Sequence, residues 1–119
     1  MRLFALFMPV VIVLSFATPS LAQQKGDPAK GKVTYGTYCV SCHGASGKGD
    51  GPAAATLNPK PRDLTDKAHM AKHKDDYLFE IIKKGGVAVG KSAVMPPWGT
   101  ALKDEDIWSV VAYIRSLVK

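Results

Sequence analysis

The chain has little cysteine: only Cys39 and Cys42 occur in its 119 residues. Two such thiols cannot build the disulfide framework that staples many small secreted domains. With no second cysteine pair, a four-ligand cysteine zinc site also lacks its ligands. A bridge between Cys39 and Cys42 themselves would close too short a loop to constrain the unfolded chain much. Strand-like alternation, internal repeats and low-complexity tracts are lacking too. Nor is there a basic cluster interleaved with aromatics, although the formal charge is +6 and lysines run from Lys25 to Lys119. Nucleic-acid binding is therefore unsupported; the spread charge serves solubility or steering towards acidic surfaces. Finally, no apolar run reaches the roughly 20 residues that a helix needs to cross a bilayer.

The longest apolar stretch lies at the start. Arg2 supplies a positive end, Leu3 to Phe16 is almost wholly apolar but broken by Pro9, and Thr18 to Ala22 ends in small residues. This is the pattern of a secretory signal with cleavage before Gln23, so residues 1–22 are expected to be a removed leader. A retained anchor is the alternative, disfavoured by length. Residues 23–119 then form one small domain.

The two cysteines sit in Cys39-Val-Ser-Cys42-His43. A thioredoxin-like site needs a strand upstream, and none is legible. The adjoining histidine points instead to the attachment signature of c-type haem. Two residues between the thiols bring both sulfurs to one edge of the macrocycle, where each adds to a vinyl group. His43 then projects its imidazole under the iron. So short a motif can arise by chance, and a second axial ligand is needed to support it.

Asp27-Pro28 reads as a helix start that runs through Tyr38, with Gly31, Tyr35 and Tyr38 on one face. Gly31 costs such a helix about 1 kcal/mol relative to alanine, a cost that a closely crossing helix would explain. Residues 44–61 are a Gly/Pro loop, and residues 64–73 a short polar helix. A firmer helix starts at Asp75-Asp76, buries Leu78, Phe79, Ile81 and Ile82, and stops at Gly85-Gly86. After a second loop over 85–101, a last helix runs from about Asp104 to Val118. Its expected solvent stripe is Ser109, Ala112, Arg115, Ser116 and Lys119, with the remainder facing inward. The fold class is all-α.

Iron held in six coordination in both oxidation states takes Met or His as its sixth ligand, and a thioether raises the potential. Met95 precedes Pro96-Pro97-Trp98, whose prolines stiffen the loop that would present it. Met70, among charged residues, reads as a packing methionine. His69 and His73 lie one helical turn apart with no third ligand to complete a metal site; they read as solvated, and bis-His ligation of iron through either one ranks well below Met95. Arg62 is a candidate partner for a haem propionate.

Four stretches now resemble a class I c-type cytochrome: Gly31 to Tyr35, Cys39 to Gly44, Met95 to Trp98, and Asp106 to Arg115. The Gly49-Asp-Gly-Pro52 and Leu57-to-Leu64 runs resemble small periplasmic bacterial cytochromes and the cytochrome domains of oxidases and dehydrogenases. The resemblance implies three to five helices around one covalent haem c and its iron. The first and last helices would cross near Gly31, with Tyr35, Trp108 and Tyr113 around the crossing. It also implies that the Pro52 carbonyl accepts the Nδ1–H of His43. Lys103 departs from the Ser or Thr that often caps the last helix.

The expectation is a monomeric, non-enzymatic electron carrier in the periplasm, without stable membrane insertion once the leader is removed. Its redox partners would be a dehydrogenase, oxidase or reductase. Two alternatives stay open: a haem enzyme or gas sensor with an open distal site, and a dedicated subunit of a dehydrogenase or oxidase complex.

Overall fold

The first helix starts where Asp27 and Pro28 allow it. The Asp27 carboxylate accepts the Ala29 N–H at 2.8 Å, and Pro28, which has no N–H to leave unpaired, takes the first turn. The computed structural model describes residues 25–119, so the expected leader over 1–22 lies outside the described residues. The α-helices are α1 (Pro28–Tyr38), α2 (Val40–His43), α3 (Lys67–Met70), α4 (Asp75–Lys84) and α5 (Asp104–Leu117). Short 3₁₀ turns span Ala54–Thr56 and Gly86–Val89. Among the described residues there is no strand, and no helix is long and apolar enough to cross a membrane.

The crossing of α1 and α5 is the centre of the fold. A Cβ on Gly31 would lie 1.8 Å from the Ser109 carbonyl oxygen, so only glycine lets the two backbones touch. Beside it, Tyr35 and Tyr113 meet edge to face with centroids 5.1 Å apart. The buried Tyr35 hydroxyl donates to the Gly44 carbonyl at 2.7 Å, which ties α1 to the chain just beyond His43. Burial first, then the nearby Cys39, Tyr113 and Asp50, raises the Tyr35 phenol so that it stays a donor.

The expected solvent stripe on α5 is only partly present. Ser109 and Ala112 are buried, and Ser109 lies against Gly31 of α1. The Ser109 hydroxyl accepts the Asp27 N–H at 3.1 Å and donates to the Glu105 carbonyl at 2.9 Å. Arg115 is half-buried: it bonds Asp75 at 2.7 Å, the Met70 carbonyl at 2.9 Å, and the His73 carbonyl. Ser116 and Lys119 alone of the stripe are exposed. Tyr38 also departs from expectation, being exposed where Gly31 and Tyr35 are buried.

Helix α4 has acidic residues at its start and Lys83-Lys84 at its end, each complementing the helix dipole. It packs Leu78, Phe79 and Ile82 into the core against α5, and Phe79 stacks on Trp108 at 4.3 Å. Ile81 is half-buried and lines a cavity instead. In place of a Ser or Thr cap, α5 begins with the Lys103 N–H donating to the Asp106 carboxylate at 3.2 Å.

Candidate functional site

The segment holding both cysteines is a single helical turn fixed on its outer side by a loop. The His43 N–H donates to the Cys39 carbonyl at 2.9 Å, which winds Cys39, Cys42 and His43 into one turn. The following loop folds back over it. Gly49 and Gly51 donate to the His43 and Cys42 carbonyls at 2.8 and 3.2 Å, and Ala53 donates to Ser41 at 2.9 Å. At Gly51 a Cβ would sit 2.3 Å from the Ser41 carbonyl oxygen, so the loop can approach α2 this closely only with glycine there.

Met95 is held by the end of α4. Gly85, at φ 82°, turns the chain out of the helix in a conformation that side chains resist. The Met95 carbonyl then accepts the Gly86 N–H at 2.9 Å. Trp98 and Gly99 donate to the Ile82 and Lys83 carbonyls at 2.9 and 3.0 Å. These bonds satisfy carbonyls that the end of α4 would otherwise leave open, and they fix the backbone on both sides of Pro96-Pro97.

Both segments face one cavity of about 1110 Å³. Cys39, Cys42, His43 and Met95 all line it, and Leu78, Ile82, Val110 and Ile114 contribute aliphatic wall. It exceeds the roughly 300–1,000 Å³ of ordinary small-molecule pockets. Two thiols, an imidazole and a thioether around such a space suit a large, flat, covalently anchored iron macrocycle. Arg62, Lys48 and Lys91 also line the cavity and are exposed, which places positive charge within reach of ligand carboxylates.

The ionisation of these groups fits that use. Burial, then the neighbouring Cys42, pushes the Cys39 thiol up to about 11. A disulfide-exchange cysteine needs the opposite shift. Burial lowers His43 below its ordinary value and so favours the neutral imidazole that can ligate a metal.

The expected role of Pro52 is not found. Pro52 is exposed and absent from the cavity wall, and the buried His43 Nδ1 has no hydrogen-bond partner among the described residues. The Arg62 backbone comes near enough to favour the protonated imidazole, but not within ordinary hydrogen-bond geometry. The sequence Gly-Asp-Gly-Pro instead serves to lay its glycine backbone on α2.

Met70 is 1% exposed and lines the same cavity, so it is more deeply set than its charged neighbours suggested. His69 and His73 also line it, half-buried, with ring centroids 4.9 Å apart. His73 stacks on Tyr77 at 4.3 Å.

A family model described as cytochrome c oxidase, cbb3-type, subunit III matches residues 26–114. Cytochrome c-554(547) of Halothiobacillus neapolitanus is 34% identical over 95 residues, which cover 77% of this chain and 98% of that protein. The cbb3-type cytochrome c oxidase subunit FixP of Bradyrhizobium diazoefficiens is 34% identical over 98 residues. That match takes in 82% of this chain but only 30% of FixP. Among solved structures, the c-type cytochrome KustC0563 superposes with a TM-score of 0.63 at 26% identity, over 75% of this chain and 98% of its own.

Proposed function

The chain belongs to the c-type cytochromes, in the family of cbb3-type oxidase subunit III, and from that membership we propose that Cys39 and Cys42 anchor its haem while His43 and Met95 ligate the iron. Proteins of this family carry haem c covalently and act in electron transfer. One observation carries the residue assignment: a single large cavity has both thiols, the imidazole and the thioether on its walls. Haem c, when bound, supplies an iron that alternates between ferric and ferrous states and so carries one electron.

The chain's own residues do the rest. His43, kept neutral by burial, offers its free nitrogen lone pair. Met95 offers a thioether from a backbone fixed to α4, which favours the ferrous state and raises the potential. The aliphatic wall of Leu78, Ile82, Val110 and Ile114 would shield that side of the haem from water. Arg62 and the cavity lysines are placed to meet carboxylates of the cofactor or of a partner.

The reading extends to a non-enzymatic, monomeric carrier exported through residues 1–22 to the periplasm, with residues 23–119 as the cytochrome domain. There it would exchange electrons with a dehydrogenase, oxidase or reductase. The near-complete coverage of cytochrome c-554(547) supports a free-standing carrier. The match to FixP supports the second reading, a subunit of one complex. Intact-mass analysis of protein exported beside a haem-attachment system tests the first-ranked assignment. A chain beginning at Gln23 and heavier by one haem is expected, with the haem lost in a Cys39→Ser, Cys42→Ser variant. A wild-type chain without added mass overturns the thioether assignment, a mass that includes residues 1–22 overturns the leader, and co-purification with one enzyme complex favours the subunit.

A further inference from the structure

The cavity is built from two halves that scarcely meet. Helix α1 packs on α5 and leads into α2; α4 packs on α5 and carries the Met95 loop. Among the described residues, the backbones of α1 and α4 do not approach each other. Tyr38, the last residue of α1 and the neighbour of Cys39, nevertheless reaches Trp98, three positions past Met95. Their ring centroids are 5.5 Å apart and tilted by 57°. Both residues line the cavity, and Tyr38 is 37% exposed.

We propose that Tyr38 and Trp98 form an aromatic latch that joins the cysteine half of the cavity to the methionine half and sets how readily Met95 leaves the iron. The inference rests on the Met95 assignment above. The Trp98 backbone is already bonded to α4 and to the first turn of chain beyond it, with its carbonyl accepting the Leu102 N–H at 2.9 Å. That leaves the ring as the element able to reach across. Tyr38 is 37% exposed, whereas its neighbours Tyr35 and Cys39 are buried in the core and Trp98 packs against that core. The aromatic contact it makes is with Trp98. Holding Met95 only from the α4 side would let its loop swing outward as a unit; a contact with α1 opposes that swing. Tyr38 and Trp98 are thus positioning residues, acting on the iron through Met95.

The test is the rate at which cyanide displaces the sixth ligand of the oxidised, haem-loaded protein. Tyr38→Ala is expected to bind cyanide about twofold to tenfold faster than wild type, the range set by the worth of one aromatic pair. Tyr38→Phe keeps the ring and is expected to restore the wild-type rate. Val33→Ala, on an exposed position of the same helix, leaves it unchanged. A Tyr38→Ala rate equal to wild type, or a Tyr38→Phe rate equal to Tyr38→Ala, overturns the latch. The near-infrared thioether-to-iron band of wild type separates the two failures. Its absence overturns Met95 ligation itself; its presence with an unaltered Tyr38→Ala rate overturns the latch alone.

Discussion

Met70 and Met95 line the same cavity but are held in different ways. Met95 sits in a loop bonded to the end of α4 and is half-buried, whereas Met70 is enclosed in the core. Met70→Ala is accordingly expected to cost about 2–5 kcal/mol of stability, as other large-to-small core changes do, while the near-infrared band persists. Denaturant unfolding and an absorption scan of the same sample check both halves; a lost band would make Met70 the ligand. That Met70 packs was legible, but not that its burial is complete, because its neighbours Lys67, His69 and Lys72 are polar. What covers that turn is Arg115, reaching from α5 to the Met70 and His73 carbonyls. The Cys39–His43 and Met95 motifs, by contrast, were legible because their chemistry is local. Pro52 was misread because a dipeptide shows where a chain turns but not which carbonyl faces an imidazole. His73 gives a pH prediction at the same scale. Burial, then His69, Lys91, Arg115 and Lys72, lowers its pKa, so the unfolded chain binds that proton more tightly. Stability is therefore full above the ordinary value near 6.5 and falls as pH drops below it. A histidine titration followed by NMR is expected to place His73 below that value, and a value above it contradicts the sign.

Helix contacts set the next scale, where two glycines of α1 make opposite predictions. A Cβ on Gly31 collides with the Ser109 backbone, whereas one on Gly36 meets nothing within 4 Å. Gly31→Ala should therefore destabilise by about 1–3 kcal/mol through forced separation of α1 and α5, despite alanine's better helix propensity. Gly36→Ala should stabilise by about 0.5–1 kcal/mol. Thermal or denaturant unfolding of the two variants decides the matter, and a stabilised Gly31→Ala would mean that the helices do not touch there. The start of α1 and the bounds of α4 were legible from Asp27-Pro28, the charge polarity of α4 and the glycines after Lys84. The face of α5 was not. Ser109 and Ala112 look like surface residues by polarity and size, yet small residues are what a close crossing requires. Gly31 was the available signal: a glycine that implies a close crossing also implies small partners on the other helix.

For the whole molecule, the fold brings two separately organised halves around one cavity, both packed on α5. The cysteine turn and its loop form one half; α4 and the Met95 loop form the other. All-α class and helix order could be inferred from the sequence, because caps, glycines and apolar spacing are local signals; that α5 is the helix crossing at Gly31 came only from the resemblance to class I c-type cytochromes. How the halves meet, through Tyr38 and Trp98, depends on tertiary approach and left no periodic trace. The central claim is that the assembled molecule closes both axial positions of its iron with His43 and Met95. A near-infrared scan of the oxidised, haem-loaded wild type beside Met95→Ala tests it most directly. Wild type is expected to show a thioether-to-iron band that vanishes in Met95→Ala, together with a lower potential and rapid carbon monoxide binding by the reduced variant. A wild type without the band, or a Met95→Ala variant that retains it, would rule out Met95 as the sixth ligand.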